Sequence, residues 1–225
     1  MHKLSPPFDL IKKAVNIFTK KENLSFLVKI YLPLLPFSIL LAIQSYIPAS
    51  IADVNDVWFT VGSGVLQIFS VLVGLFTTVS AIIALGKVTE NGELSVKKTF
   101  RSAWKFYWMF LLLSAVLTLV YLFGFVLLII PGLLFVVWFA FSRFLMIEKK
   151  LGVTQSLLKS RQLVKGIYWK ILGRLIVFGA FTMVVQIILS VVPYGAGSVI
   201  SSLCGGLYML PLYLLYKELD VVQGT

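Results

Sequence analysis

The chain has 225 residues, of which 59% are hydrophobic and only 13% charged, and its formal net charge is +11. That composition excludes a soluble globular domain and a disordered segment alike, because so much apolar surface has no solvated home in water. The basic excess raises nucleic acid as a partner, and the placement of the charges decides that question.

The first segment reads as an amphipathic helix and not as a secretory leader. Lys3, Pro6, Pro7, Asp9, Lys12 and Lys13 stand where a leader needs an unbroken apolar core. Phe8, Ile11, Val15 and Phe18 recur at helical spacing, with Lys12, Lys13, Asn16 and Lys20 off that stripe. Beyond it, residues 30–86 carry only Asp53 and Asp56 as charges, while 106–142 and 175–216 carry none. A helix of roughly 40 residues would be about 60 Å long. The hydrocarbon core is about 30 Å thick and is crossed by about 20 residues. Each stretch must therefore enter and return, which predicts an all-α integral membrane protein of six spans in one domain, 1–225. The spans are placed at 25–47, 58–86, 106–122, 125–147, 169–192 and 197–216. The turn between spans 3 and 4 is expected at Phe123–Gly124, which puts Pro131 and Gly132 inside span 4 as a kink.

A short basic segment precedes each later hairpin as well. In the second, Val96, Phe100, Ala103 and Tyr107 form a stripe beside Lys97, Arg101 and Lys105. In the third, Val153, Leu157, Val164 and Tyr168 face inward, with Lys159, Arg161 and Lys165 around them. Ser95 and Thr154 suit helix N-termini. Such segments are too short to cross, so they are expected to lie in the interface plane. The result is a parallel repeat with units 8–86, 95–147 and 153–217, in which Ser95, Lys98, Tyr107 and Trp108 recur as Ser156, Lys159, Tyr168 and Trp169.

The basic clusters fall before span 1, between spans 2 and 3 and between spans 4 and 5, so an even number of crossings separates them. The opposite connections, around 48–57, 123–124 and 192–197, contain no Lys or Arg. This is the positive-inside pattern of a cytoplasmic (inner) membrane protein with both termini in the cytoplasm. Anionic phospholipid headgroups are then the natural partner, at about 1 kcal/mol per basic residue near the surface. The expected headgroup contacts are Lys97, Lys98, Arg101, Lys105, Lys159, Arg161 and Lys165, with Trp108 and Trp169 in an interfacial aromatic belt. No basic face stands free of the bilayer to hold nucleic acid.

Catalytic, cofactor and metal residues are expected to be none. His2 is the sole histidine, Cys204 the sole cysteine, and no Asp or Glu falls in mid-span. Lys29, Arg143 and Arg174 lie near the basic ends of spans, where long side chains snorkel to the headgroups, and Glu148 is read as a solvated partner of Lys149 and Lys150. Gln44, Gln67 and Gln186 are either interhelical glue or, for Gln67 and Gln186, the lining of a polar cavity. Span 6 carries two small-residue ridges, Gly197–Ser201–Gly205 and Ser198–Ser202–Gly206. They pack inside the bundle or serve as a seam for a homo-oligomer or a membrane-protein partner.

The run Ile130-Pro131-Gly132-Leu133-Leu134, followed by Glu148, Gly152, Ser156-Leu157, Ser160, Leu163-Val164-Lys165-Gly166 and Trp169, resembles a pattern in bacterial multi-span proteins. It is similar to the membrane domain fused to some glycerophosphodiester phosphodiesterases, over about 125–175. The resemblance implies a membrane module without hydrolase activity, since the catalytic part is absent from this chain. The leading expectation is a non-enzymatic module that binds, organises or moves phospholipid at the cytoplasmic leaflet. The alternatives are a small transporter or permease subunit, lined by Gln67, Gln186, Ser70 and Thr78, and an accessory subunit of a larger membrane complex.

Overall fold

A computed structural model describes residues 4–45, 57–90, 92–127, 129–192 and 196–223. Among them there are helices and connections but no strand. Six helical stretches are long and apolar enough to cross a membrane: Lys21–Ile43, Val61–Thr89, Val96–Val126, Ile130–Glu148, Tyr168–Ser190 and Ala196–Val222. The chain is an all-α, multi-pass membrane protein.

The first amphipathic helix, α1 (Pro7–Thr19), turns a different stripe inward from the one expected. Leu10, Ala14 and Phe18 are buried at i, i+4 and i+8, whereas Phe8 is 72% exposed. The small Ala14 lets α1 lie close against the last helix, so the inward stripe follows packing as well as hydropathy. The first span is interrupted: α2 (Lys21–Tyr31) passes through a 3₁₀ turn, Leu32–Leu34, into α3 (Leu35–Ser45). Pro33 and Pro36 lack the N–H groups that an unbroken helix would use there. The connection 46–56, with Asp53 and Asp56, and the Gln44 and Trp58 side chains lie outside the described residues.

The second span, α4 (Val57–Thr89), is one long helix. The second basic segment is not a separate interfacial helix, because α5 (Val96–Leu127) runs unbroken from it into span 3. Nothing between Lys97 and Trp108 breaks a helix, and Ser95 caps its start by accepting the Lys98 N–H at 3.5 Å.

The third-to-fourth connection is later than the expected Phe123–Gly124, since α5 continues to Leu127 and α6 (Ile129–Phe139) begins just after. Gly124 and Gly132 are instead where the two helices touch. A Cβ on Gly124 would stand 2.7 Å from the Phe135 ring and 3.0 Å from Gly132 Cα, and one on Gly132 would stand 2.5 Å from the Phe125 ring. Pro131 falls in the first turn of α6, where a missing N–H removes no helix bond, so it makes no kink. The break in span 4 comes at Ala140–Phe141, ahead of α7 (Ser142–Glu148).

The third basic segment is a separate helix, α8 (Val153–Val164), packed along α6 and α7. It leads into α9 (Tyr168–Ser190). Span 6 is two helices, α10 (Ala196–Leu203) and α11 (Gly205–Gln223), separated at Cys204. Burial follows the repeat offset at four positions: Thr99, Ala103, Phe110 and Leu117 in α5 are buried, and so are Ser160, Val164, Ile171 and Phe178.

Charged groups collect at one end of the bundle. Lys217 Nζ lies 2.9 Å from Glu90 and 3.1 Å from Glu148, Lys149 lies 2.6 Å from Asp220, and Glu148 also accepts the Tyr213 hydroxyl. Ser5 donates to Glu218 at 2.5 Å from its hydroxyl and 3.2 Å from its N–H. The ends of α4, α7 and α11 therefore meet the starts of α1 and α5, where Lys87 donates to Thr99 at 3.0 Å.

Candidate functional site: a basic, aromatic groove

The concavity best suited to a ligand lies between α6, α8 and α9, with a volume of about 810 Å³. Two left-handed residues bound α8 and fix its direction: Lys150 at φ 53° before it and Gly166 at φ 84° after it. Gly166 meets the demand of that backbone without a Cβ clash. Lys165 N–H donates to the Arg161 and Gln162 carbonyls at 3.1 Å each, and Ile167 N–H to the Val164 carbonyl at 3.1 Å, which closes the turn.

Ser160 ties α8 to span 4. Its hydroxyl donates to the Trp138 carbonyl at 2.7 Å and accepts the Phe141 N–H at 3.2 Å. The break at Ala140–Phe141 would otherwise leave those groups without partners in an apolar medium. With α8 held there, Arg161 stands with its guanidinium carbon 4.5 Å from the Trp138 ring centroid. That stacking holds a flexible cation in place and contributes about 0.5–2 kcal/mol.

The groove has two chemical ends. Arg161, Gln162 and Lys165 supply donors beside Trp138, Tyr168 and Trp169, while Ile130, Leu133 and Leu134 form an apolar trough along α6. From Trp138 to Ile130 is about 12 Å along the helix axis. Trp169 is 79% exposed at the rim and meets Tyr168 edge-on at 5.4 Å between centroids. Such a surface suits an amphiphile with an anionic head and an apolar chain.

The sequence-predicted headgroup residues separate into two groups. Arg161, Lys165 and Trp169 converge on the groove, and Lys159 is exposed on α8 outside it. Lys97, Arg101, Lys105 and Trp108 are exposed along α5. Lys98 is engaged with Glu93 at 2.7 Å, and that hydrogen-bonded ammonium holds the Glu93 carboxyl below the ordinary carboxylate range. Trp138, Leu158 and the α6 trough were not foreseen as site residues. Only the exposure of an apolar face beside a basic helix would have signalled them.

The polar side chains expected to line a route through the bundle do not converge. Gln67 is exposed on α4, Ser70 is half-buried, and Thr78 donates to its own helix at Gly74. Gln186 donates to Ser201 at 2.6 Å, and Ser201 lies 3.2 Å from the Tyr208 hydroxyl, so this glutamine joins α9 to span 6. Arg174 reaches toward the charged end of the bundle, where its guanidinium donates to the Leu4 and Ser5 carbonyls at 2.9–3.2 Å. Arg143 lies over the Phe110 ring at 5.9 Å, and its Nε is buried without a hydrogen bond, as is Ser114 Oγ one turn along α5. Glu148 pairs with Tyr213 and Lys217, while the neighbouring Lys149 pairs with Asp220.

The span 6 ridges are occupied from within. Gly197 sits against the Leu189 carbonyl, Gly205 against the Tyr31 ring, and Gly206 against Phe18 and Leu27. Ser202 approaches Ser38 at 3.5 Å and donates to the Val199 carbonyl at 2.7 Å, and Ser198 lies exposed on α10. No metal-binding group of His, Cys, Asp or Glu occurs among the described residues. Compared with known proteins, the chain matches no family model, no curated protein and no solved structure.

Proposed function

We propose that this chain is a non-enzymatic module of the cytoplasmic membrane, with both termini in the cytoplasm, that holds an anionic phospholipid in the groove between α6, α8 and α9. One observation carries the reading: Arg161 and Lys165 overhang an apolar trough at a single aromatic rim. A phosphate at Arg161 and Lys165 takes charge-assisted hydrogen bonds, and an acyl chain covers Ile130, Leu133 and Leu134. Apolar burial at about 25 cal/mol per Å² adds to the headgroup attraction. The resemblance of residues 125–175 to a module joined to lipid-headgroup enzymes belongs to the same proposal.

Native mass spectrometry tests it, with the protein released from nanodiscs of phosphatidylcholine and phosphatidylglycerol. One phosphatidylglycerol per chain is expected. Replacing Arg161→Gln together with Lys165→Gln removes two cations at about 1 kcal/mol each, so retention should fall roughly thirtyfold. Bare protein, or a bulk mixture of both lipids, overturns the reading.

A further inference from the structure

Units two and three share a lysine and an aromatic pair at a common offset, and the groove lies in unit three. The offset that pairs Ser95, Lys98, Tyr107 and Trp108 with Ser156, Lys159, Tyr168 and Trp169 also pairs Lys105 with Gly166. Four buried positions share the offset, Thr99, Ala103, Phe110 and Leu117 with Ser160, Val164, Ile171 and Phe178, whereas Tyr107 and Leu113 are buried and Tyr168 and Arg174 are half-buried. Lys105 lies inside the continuous helix α5. Gly166 lies in the turn between α8 and α9, at φ 84°.

The same offset sets the groove's Arg161 and Lys165 against Phe100 and Trp104, so the units differ in where their cations lie as well as in the turn at Gly166. In unit two the basic segment extends straight from the span, so Arg101, Trp104, Lys105 and Trp108 form an exposed convex stripe. Trp104 stacks there on Tyr107, with centroids 5.7 Å apart and planes 8° from parallel. In unit three the left-handed residues Lys150 and Gly166 bound α8, which packs along α6 and α7 as a separate helix, and Arg161 and Lys165 line the groove beside the α6 trough. A residue with a Cβ resists that backbone, least for Asn and most for β-branched side chains.

We infer that Gly166, as the left-handed turn between α8 and α9, is the positioning residue that holds Arg161 and Lys165 at a discrete lipid site. The protein then retains one anionic phospholipid, in unit three, while the unit two stripe exchanges freely with bulk lipid. This inference rests on the lipid reading above. Within the chain itself space is not the issue at Gly166, because a Cβ there would meet nothing within 4 Å. Because Gly166 lines the groove, a side chain there also adds bulk at the lipid site; Asn and Val share that bulk and differ in how readily they take a left-handed backbone.

The experiment compares full-length Gly166→Asn, Gly166→Ala and Gly166→Val in nanodiscs of phosphatidylcholine and phosphatidylglycerol, with retained lipid counted by native mass spectrometry. Helicity and elution volume are followed in parallel. The expected order of retention is Asn equal to wild type, Ala reduced, and Val reduced by about tenfold. Arg101→Gln with Lys105→Gln should leave retention unchanged. Equal retention in the Val and Asn variants overturns the role of Gly166 and leaves the groove standing. A loss in the Arg101 and Lys105 variant as large as that in Val overturns the assignment to unit three. If Val also loses helicity, the Ala variant decides, and retention equal to wild type there sinks the inference. Wild-type protein released without lipid overturns the lipid reading itself.

Discussion

Ser160 shows how much one small hydroxyl does in a medium without water. Donor and acceptor capacity meet in its Oγ, so one side chain serves the Trp138 carbonyl and the Phe141 N–H together. Ser160→Ala would leave both groups buried and unpartnered, and the expected loss is about 1–3 kcal/mol of stability. The loss should appear as a lower midpoint in detergent-resolved thermal unfolding. Because α8 is tied to span 4 through this atom, Arg161 should also leave its place over Trp138 and lipid retention should fall with it. Ser160→Thr keeps the hydroxyl and separates loss of the bond from loss of volume. The two intramembrane arginines make the contrasting case. Arg174 finds backbone carbonyls, while Arg143 lies over the Phe110 ring with its Nε buried and without a hydrogen bond. Their sequence neighbourhoods gave both the same snorkelling expectation, because reach alone does not say which way a long side chain points.

At the scale of elements, close approach of helices depends on a few glycines. Gly205 begins α11 with the Tyr31 ring where its side chain would be. Gly205→Leu should therefore unsettle the packing of α11 on α2 and lower stability by roughly 1–3 kcal/mol, the usual range for an overpacked core. The monomer itself should show the loss, in unfolding of the dilute detergent-solubilised protein. A variant that kept monomer stability while changing only oligomeric state would place the ridge on an outer seam instead. The spacing of the ridge was legible in the sequence, but its direction was not. Similar limits held elsewhere. The long uncharged stretches announced six spans, because hydropathy reports directly on what must leave water. It does not report where backbone hydrogen bonding breaks, so the interruptions at Ala140–Phe141 and Cys204 were hidden, while Pro33 and Pro36 marked the one at Leu32–Leu34. Gly124 read as a turn residue and serves as a contact point, since glycine gives the same letter to both uses. Of the groove, the basic residues were visible through their repeat. Its apolar half was not, because Ile130, Leu133 and Leu134 look like any other lipid-facing stretch until α8 is folded beside them.

For the whole molecule, the decisive property is sidedness, and the structure and the charges bear on it separately. Ion pairs and hydrogen bonds gather the ends of α4, α7 and α11 with the starts of α1 and α5 at one end of the bundle. The exposed lysines of α1, with Lys97, Arg101 and Lys105 in α5 and Lys159, Arg161 and Lys165 in α8, carry the basic excess. The positive-inside rule places such residues in the cytoplasm. An amphiphile held between Arg161 and Lys165 would then come from the cytoplasmic leaflet, so the lipid proposal and the topology stand on the same orientation. Single-cysteine variants test it after Cys204→Ala removes the free native thiol. Glu93→Cys and Val222→Cys should resist a membrane-impermeant maleimide in intact cells and react once the membrane is opened. Val191→Cys, exposed at the far end of α9, should react in intact cells. The reverse pattern would invert the protein and put the groove's cations on the outer side. Labelling of Glu93→Cys and Val222→Cys from opposite sides would break the even count of crossings between them, and with it the six-span arrangement.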